Sequence, residues 1–258
     1  MRLKLPKKLP KNWFEVSIEQ YQELVGIEAQ KSSFCNTEYF IEKLSLFLDI
    51  SPEDSFFDEL SSNELFELIN GISWTNSPIP VTSLTEKWEN MSPKKFQTLC
   101  LGEFIDLEHF MADPDENLHK IAAVLYKQTA VDKWGNPEIE PYEYDLEQRS
   151  EIVLKAPIPQ VYNLVSSYSQ WRKNFLENYE DLFQGEETGQ EDEEEELEGY
   201  EHVERQKQLQ KEKVLIKWSW ENMIWNLAQE DITKMKEIFG IEVILVFNML
   251  SMKKSLDK

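Results

Sequence analysis

From Val161 to Tyr179 the apolar side chains recur at intervals of three and four: Val161, Leu164, Val165, Tyr168, Trp171, Phe175, Leu176 and Tyr179. That interval is the repeat of one face of an α-helix. Ala156-Pro157-Ile158-Pro159 opens it, with prolines where a first turn tolerates them. A stripe this rich in aromatic rings must be covered, so it reads as core, and other helices have to supply the cover. Only 8 glycines in 258 residues argue against an all-β design, and the prevalence of Leu, Glu, Lys, Ile and Gln favours helix. The expected fold class is mainly α.

The rest of the chain fits that frame. Ser17 with Gln20, and Ser61 with Glu64, have capping-box spacing, so helices should open through Tyr21, Leu24 and Val25 and through Leu65, Phe66, Leu68 and Ile69. Thr37 is expected to cap a helix carrying Tyr39, Phe40, Leu44, Phe47 and Leu48, and Ser51-Pro52-Glu53-Asp54 to start another. Gly71 is a natural C-cap. Residues 72–98 hold Trp74, Pro78, Pro80 and Trp88 without regular spacing and read as a loop with one short hairpin. Helices resume over Leu101, Phe104, Ile105, Leu107 and Met111, and over Leu118, Ile121, Ala122 and Leu125, with Asp113-Pro114-Asp115 between them. Trp134-Gly135-Asn136-Pro137 is a turn by its chemistry.

Charge divides the chain. Residues 1–12 carry Arg2, Lys4, Lys7, Lys8 and Lys11 with Pro6 and Pro10 and no acid, which predicts a basic extended arm. Residues 184–204 hold eleven acids and no Lys or Arg, half of the formal net charge of −22, and such blocks stay extended by self-repulsion. The organisation expected is therefore the arm at 1–12, a helical body at 13–183 containing the irregular segment 72–98, an acidic linker at 184–204 and a C-terminal helical module at 205–258. In that module Trp218, Trp220 and Trp225 fall within eight residues, followed by Phe239 and Phe247. Positions 218 and 225 share a helix face and 220 does not, so one ring is left to pack on something else. Trp is enriched at interface hot spots. Lys4, Lys7, Lys8, Lys11, Trp218, Trp220, Trp225, Phe239 and Phe247 are accordingly the candidate partner-interface residues.

Chemistry-bearing motifs are scarce. His109 and His119 have acids nearby but no second ligand at the fourth position on, and Cys35 and Cys100 have neither zinc nor disulfide spacing. No GxSxG sequence and no glycine-rich phosphate loop occurs. No catalytic residue, cofactor, metal or small-molecule substrate is expected. The strongly negative charge speaks against direct nucleic-acid binding. No apolar run approaches the length of a membrane span, and the basic N-terminus lacks the apolar stretch of a secretory signal.

Three phrases resemble a known group. Trp13-Phe14-Glu15-Val16-Ser17-Ile18-Glu19-Gln20-Tyr21, Leu99-Cys100-Leu101-Gly102-Glu103-Phe104-Ile105-Asp106-Leu107 and Asn117-Leu118-His119-Lys120-Ile121-Ala122-Ala123-Val124-Leu125-Tyr126 are similar to stretches of virion and tail-assembly proteins of crAss-like tailed phages of Bacteroides. The C-terminal module looks like a helical tail segment of the same proteins. The acidic run and the segment at 77–80 have no counterpart there. The resemblance implies a non-enzymatic protein of the portal–tail region, a ring, adaptor or internal cargo component, whose partners are other phage structural proteins and copies of itself. It would be made in the host bacterial cytoplasm and reside in the virion. The alternative it implies is a transient tail-assembly chaperone that leaves before the particle is complete.

Overall fold

The structure is a computed structural model and describes residues 5–81, 87–89, 91–131, 137–139, 146–183 and 223–256. The fold is mainly helical, as the periodicity predicts. Lys4, Trp218 and Trp220, the acidic run at 184–204 and the turn at Trp134 lie outside the described residues. Two compact units make up the chain, one from Met1–Lys94 with Phe110–Ser169, the other from Lys95–His109 with Gln170–Lys258.

In the first unit, α1 (Ile18–Ala29) and α4 (Ser62–Gly71) start as their sequences require. Ser17 Oγ accepts from the Gln20 amide at 3.2 Å while Gln20 returns a bond to the Ser17 amide, and Ser61 and Glu64 repeat the exchange. Helix α2 (Asn36–Leu48) is capped two residues before the expected Thr37. Cys35 takes the capping role, with Sγ accepting from the Glu38 amide and the Glu38 carboxylate accepting from the Cys35 amide at 2.9 Å. Thr37 is left inside the helix. Pro52 is likewise not a first helical residue. Asp54 Oδ1 caps the one-turn α3 (Ser55–Asp58) through the Phe56 amide at 2.8 Å, because a carboxylate so placed satisfies an orphan N–H that Ser51 cannot reach. Gly71 is the last helical residue, and Ile72 is the C-cap.

The irregular segment is held by indoles. Trp13 Nε1 donates to the Ser77 carbonyl at 2.9 Å and Trp74 Nε1 to the Pro10 carbonyl at 3.0 Å, the two rings meeting edge to face at 5.2 Å. Residues 5–12 of the basic arm thus lie along this chain's own helices, with Pro10 buried. Within the irregular segment an antiparallel bridge joins Trp88 and Met91 through reciprocal backbone bonds of 3.1 and 2.9 Å, and Met91 also enters a longer-range sheet. Strand β1 (Met91–Pro93) pairs antiparallel with β2 (Tyr126–Val131), which pairs with β3 (Pro137–Ile139). Helix α6 (Leu118–Leu125) is buried on every side, with Ala122 and Ala123 small enough to let α1 and α7 (Leu146–Val153) pack close. A bridge at Ser17 and Pro157 ties the start of α1 to the start of α8 (Ile158–Glu177), whose Val161, Leu164, Val165 and Tyr168 are buried.

The second unit is built from α5 (Leu101–Phe110), the end of α8, α9 (Glu180–Phe183), a helical stretch at 223–227, α10 (Ile232–Phe239) and α11 (Val243–Leu256). Its core is an aromatic cluster. Phe175 stacks on Trp171 at 4.9 Å, and Phe104 and Phe247 close around it at 5.6 and 4.9 Å. The Arg172 guanidinium clasps the Glu108 carboxylate through two bonds, the planar match that fixes α8 against α5.

Candidate protein-interaction surface

Helix α11 presents apolar side chains all round, and the fold covers only one side of them. Its start is clipped to the start of α5 by two backbone bonds, Leu101 N to Ile241 O at 2.8 Å and Val243 N to Leu99 O at 2.9 Å. Its far end is held by Lys254 Nζ, which donates to the Asp181 carbonyl, and its middle by Tyr179 Oη donating to Asn248 at 2.8 Å. Thus seated, the helix buries Val243, Val246 and Phe247.

Leu245, Met249, Met252 and Leu256 are left in water, 52, 54, 60 and 77% exposed. Their spacing of four, three and four puts them on one stripe, the seam geometry by which helices pair. Fully burying one such side chain is worth about 1.5–3 kcal/mol, so the stripe leaves roughly 4–7 kcal/mol of transfer free energy unrealised. Isolated exposed leucines are ordinary, but a contiguous helical stripe is a candidate interaction surface. On the preceding elements, Ile232 at the first turn of α10 and Trp225 are also exposed. Asp231 caps α10 by accepting from the Thr233 amide at 2.9 Å and hydroxyl at 2.6 Å, bonds that hold its carboxyl below the usual carboxylate range.

The candidate residues chosen from sequence are distributed over both units. Lys7 pairs with Asp49 at 3.2 Å and Lys8 with Glu15 at 3.7 Å, both exposed, and a cavity of about 390 Å³ brings the two lysines together with Glu15, Glu19, Glu23 and Asp49. Lys11 is exposed, its backbone amide donating to Glu15. Phe239 is half-buried, and Phe247 is fully buried between Phe104, Phe175 and Tyr179, where it serves the core. The stripe of Leu245, Met249, Met252 and Leu256 escaped the sequence reading. Its 4-3-4 spacing was present there, but it is interleaved with Val243, Val246, Phe247 and Leu250, and only the packing separates the two faces.

Asp106 carries a carboxyl pushed up to about 6 by burial, opposed by His109 and reinforced by Glu103. His119 Nδ1 lies 3.0 Å from Gln22 Oε1, and burial together with Lys120 lowers the pKa of its ring. Among the described residues no group of three or more His, Cys, Asp or Glu side chains is arranged to hold a metal ion, and no helix is long and apolar enough to cross a membrane. Set against family models, curated proteins and solved structures, the chain matches none.

Proposed function

We propose that this chain is a non-enzymatic structural protein of a tailed-phage particle, acting in the portal–tail region as a ring, adaptor or internal component by offering helical surfaces to copies of itself and to other structural proteins. The exposed 4-3-4 stripe of α11 is the observation that carries the interaction reading, because a rigidly seated helix with an uncovered apolar seam is built to receive another chain. The phage setting rests on the three phrases at 13–21, 99–107 and 117–126 and their resemblance to virion proteins.

A second reading has its own support. Two of the four stripe residues are methionines, whose flexible thioethers suit surfaces that bind adaptably and release. That favours a tail-assembly chaperone. Quantitative mass spectrometry of purified particles decides between them. A fixed copy number in the particle is expected for the structural role, and absence from the particle with co-purification on a tail protein in infected cells for the chaperone. Absence from both would refute the proposal.

A further inference from the structure

The first unit carries a second groove beside the cavity at the arm, sharing Glu23, Leu46 and Asp49 with it. It runs between α1 and α2, with a volume of about 770 Å³. Each helix contributes positions i, i+3 and i+4 and its C-cap: Glu23, Gly26, Ile27 and the cap Gln30 from α1, and Glu42, Ser45, Leu46 and the cap Asp49 from α2. In both sets the central pair is a small residue next to an aliphatic one. The floor is therefore Gly26, Ile27, Ser45 and Leu46, with Phe34 and Ile50 completing it. Ser45 Oγ donates to the Glu42 carbonyl at 2.7 Å, so its hydroxyl is satisfied. Three carboxylates, Glu23, Glu42 and Asp49, line the same groove, Asp49 already paired with Lys7 of the arm at 3.2 Å.

Gly26 is the telling residue. It lies within α1, where glycine costs about 1 kcal/mol relative to alanine, and it is exposed. A Cβ built there would meet nothing within 4 Å, so no neighbour in this fold requires its absence. Glycine on an open helix face leaves room for the close approach of something outside the fold. The rim sets the sign of that something. Glu23 titrates above its ordinary value, first through burial and then through the like charges of Glu19 and Asp49, so a cation placed there relieves repulsion already present.

We infer that the α1–α2 groove is a docking site for an amphipathic helical segment of another protein, its apolar side chains on Ile27, Leu46, Phe34 and Ile50 and its Lys or Arg side chains on Glu23 and Glu42. The mode is helix-in-groove recognition, with Gly26 and Ser45 admitting the partner's backbone. This inference rests on the groove alone and does not depend on the particle assignment.

The test uses the full chain and a fluorescein-labelled 18-residue Leu/Lys amphipathic helix, read by fluorescence anisotropy, with a Leu/Glu peptide of the same pattern beside it. Gly26→Leu fills the groove without altering charge and should melt no lower than the wild type. The expected results are saturable binding of the Leu/Lys peptide, at least tenfold weaker binding to Gly26→Leu, weaker binding to Glu42→Lys, and none of the Leu/Glu peptide. Should Gly26→Leu melt early, Glu42→Lys, on the surface of α2, carries the test. Equal affinity for the wild type and the folded groove variant would overturn the inference, since the peptide would then be held by net charge alone. So would equal binding of the Leu/Glu peptide, or sedimentation showing a dimer that Gly26→Leu dissolves, which would give the groove to a second copy.

Discussion

Lys43 is a charged side chain with only 2% of its surface in water, and its surroundings predict an asymmetry between removing it and removing its partner. Its three N–H donors meet three acceptors: Glu28 Oε1 at 2.8 Å, Thr75 Oγ1 at 3.1 Å and Tyr39 Oη at 3.3 Å. Tyr39 in turn donates to Glu28 at 2.5 Å. The Glu28 side chain is 41% exposed, so one end of the pair is wet and the other dry. Lys43→Met keeps the volume, removes the ion that is costly to bury, and leaves Glu28 free to rehydrate. Thr75 Oγ1 keeps its bond to the Ile72 carbonyl. The loss should stay within about 1.5 kcal/mol. Glu28→Ala strands the ammonium, and breaking a buried pair this way costs about 3–5 kcal/mol, with the lower end expected because water can reach the vacated site. The double variant should then be more stable than Glu28→Ala alone by about 2 kcal/mol. Urea unfolding of the full chain, followed by far-ultraviolet circular dichroism, measures all three. The pH dependence adds a check. Burial pushes the Glu28 carboxyl up, but the bonds from Lys43 and Tyr39 outweigh it and leave the pKa below its ordinary value of 4.5. Its contribution is therefore present above pH 4.5 and is lost as pH falls through the depressed pKa. Additive losses in the double variant, or a Glu28→Ala cost under about 1 kcal/mol, would refute the reasoning.

Phe247→Ala should destabilise the second unit by about 3–5 kcal/mol, since it empties the centre of an aromatic cluster, whereas Met252→Ala, on the exposed stripe, should stay within about 0.5 kcal/mol. Urea titrations followed by far-ultraviolet circular dichroism compare them, and similar losses would contradict the division of α11 into a core face and a free face. Asp106 has a raised carboxyl, so the folded state binds a proton before the unfolded state does, and stability gains as pH falls from about 6 toward 3.8. Thermal melts across that window should show Asp106→Asn more stable than the wild type at neutral pH and the difference closing on acidification. Parallel curves would count against it.

Most of the helices were legible because short-range rules dictate them. The capping pairs at 17–20 and 61–64 need only four residues to be recognised, and the α8 stripe needs only its period. Cys35 was missed as a cap because thiols seldom fill that role, although Glu38 three residues on completed the same box. The strand at Tyr126–Val131 was missed for a different reason. Its partner β1 lies more than thirty residues earlier in the chain, and no local signal in a three-residue strand announces so distant a pairing. The surfaces were the least legible. Trp and Lys stand out in a sequence and drew the interface assignment. Yet Phe247 is consumed by the core, and the stripe of Leu245, Met249, Met252 and Leu256 consists of residues that read as core until the helix is seated. Gly26 is the same case in reverse, an unremarked glycine whose meaning comes from the empty space above it.

The claim on which the account turns is that the free face of α11 meets another chain. Site-specific photocrosslinking from position 252, with a benzoylphenylalanine in place of Met252 in the full chain expressed during particle production, tests it most directly. The account predicts discrete adducts to a phage structural protein or to a second copy, strongly reduced when Leu245 and Met249 are changed to lysine. Adducts no stronger than those from a benzoylphenylalanine at exposed Lys173, or adducts unaffected by the lysine substitutions, would contradict it.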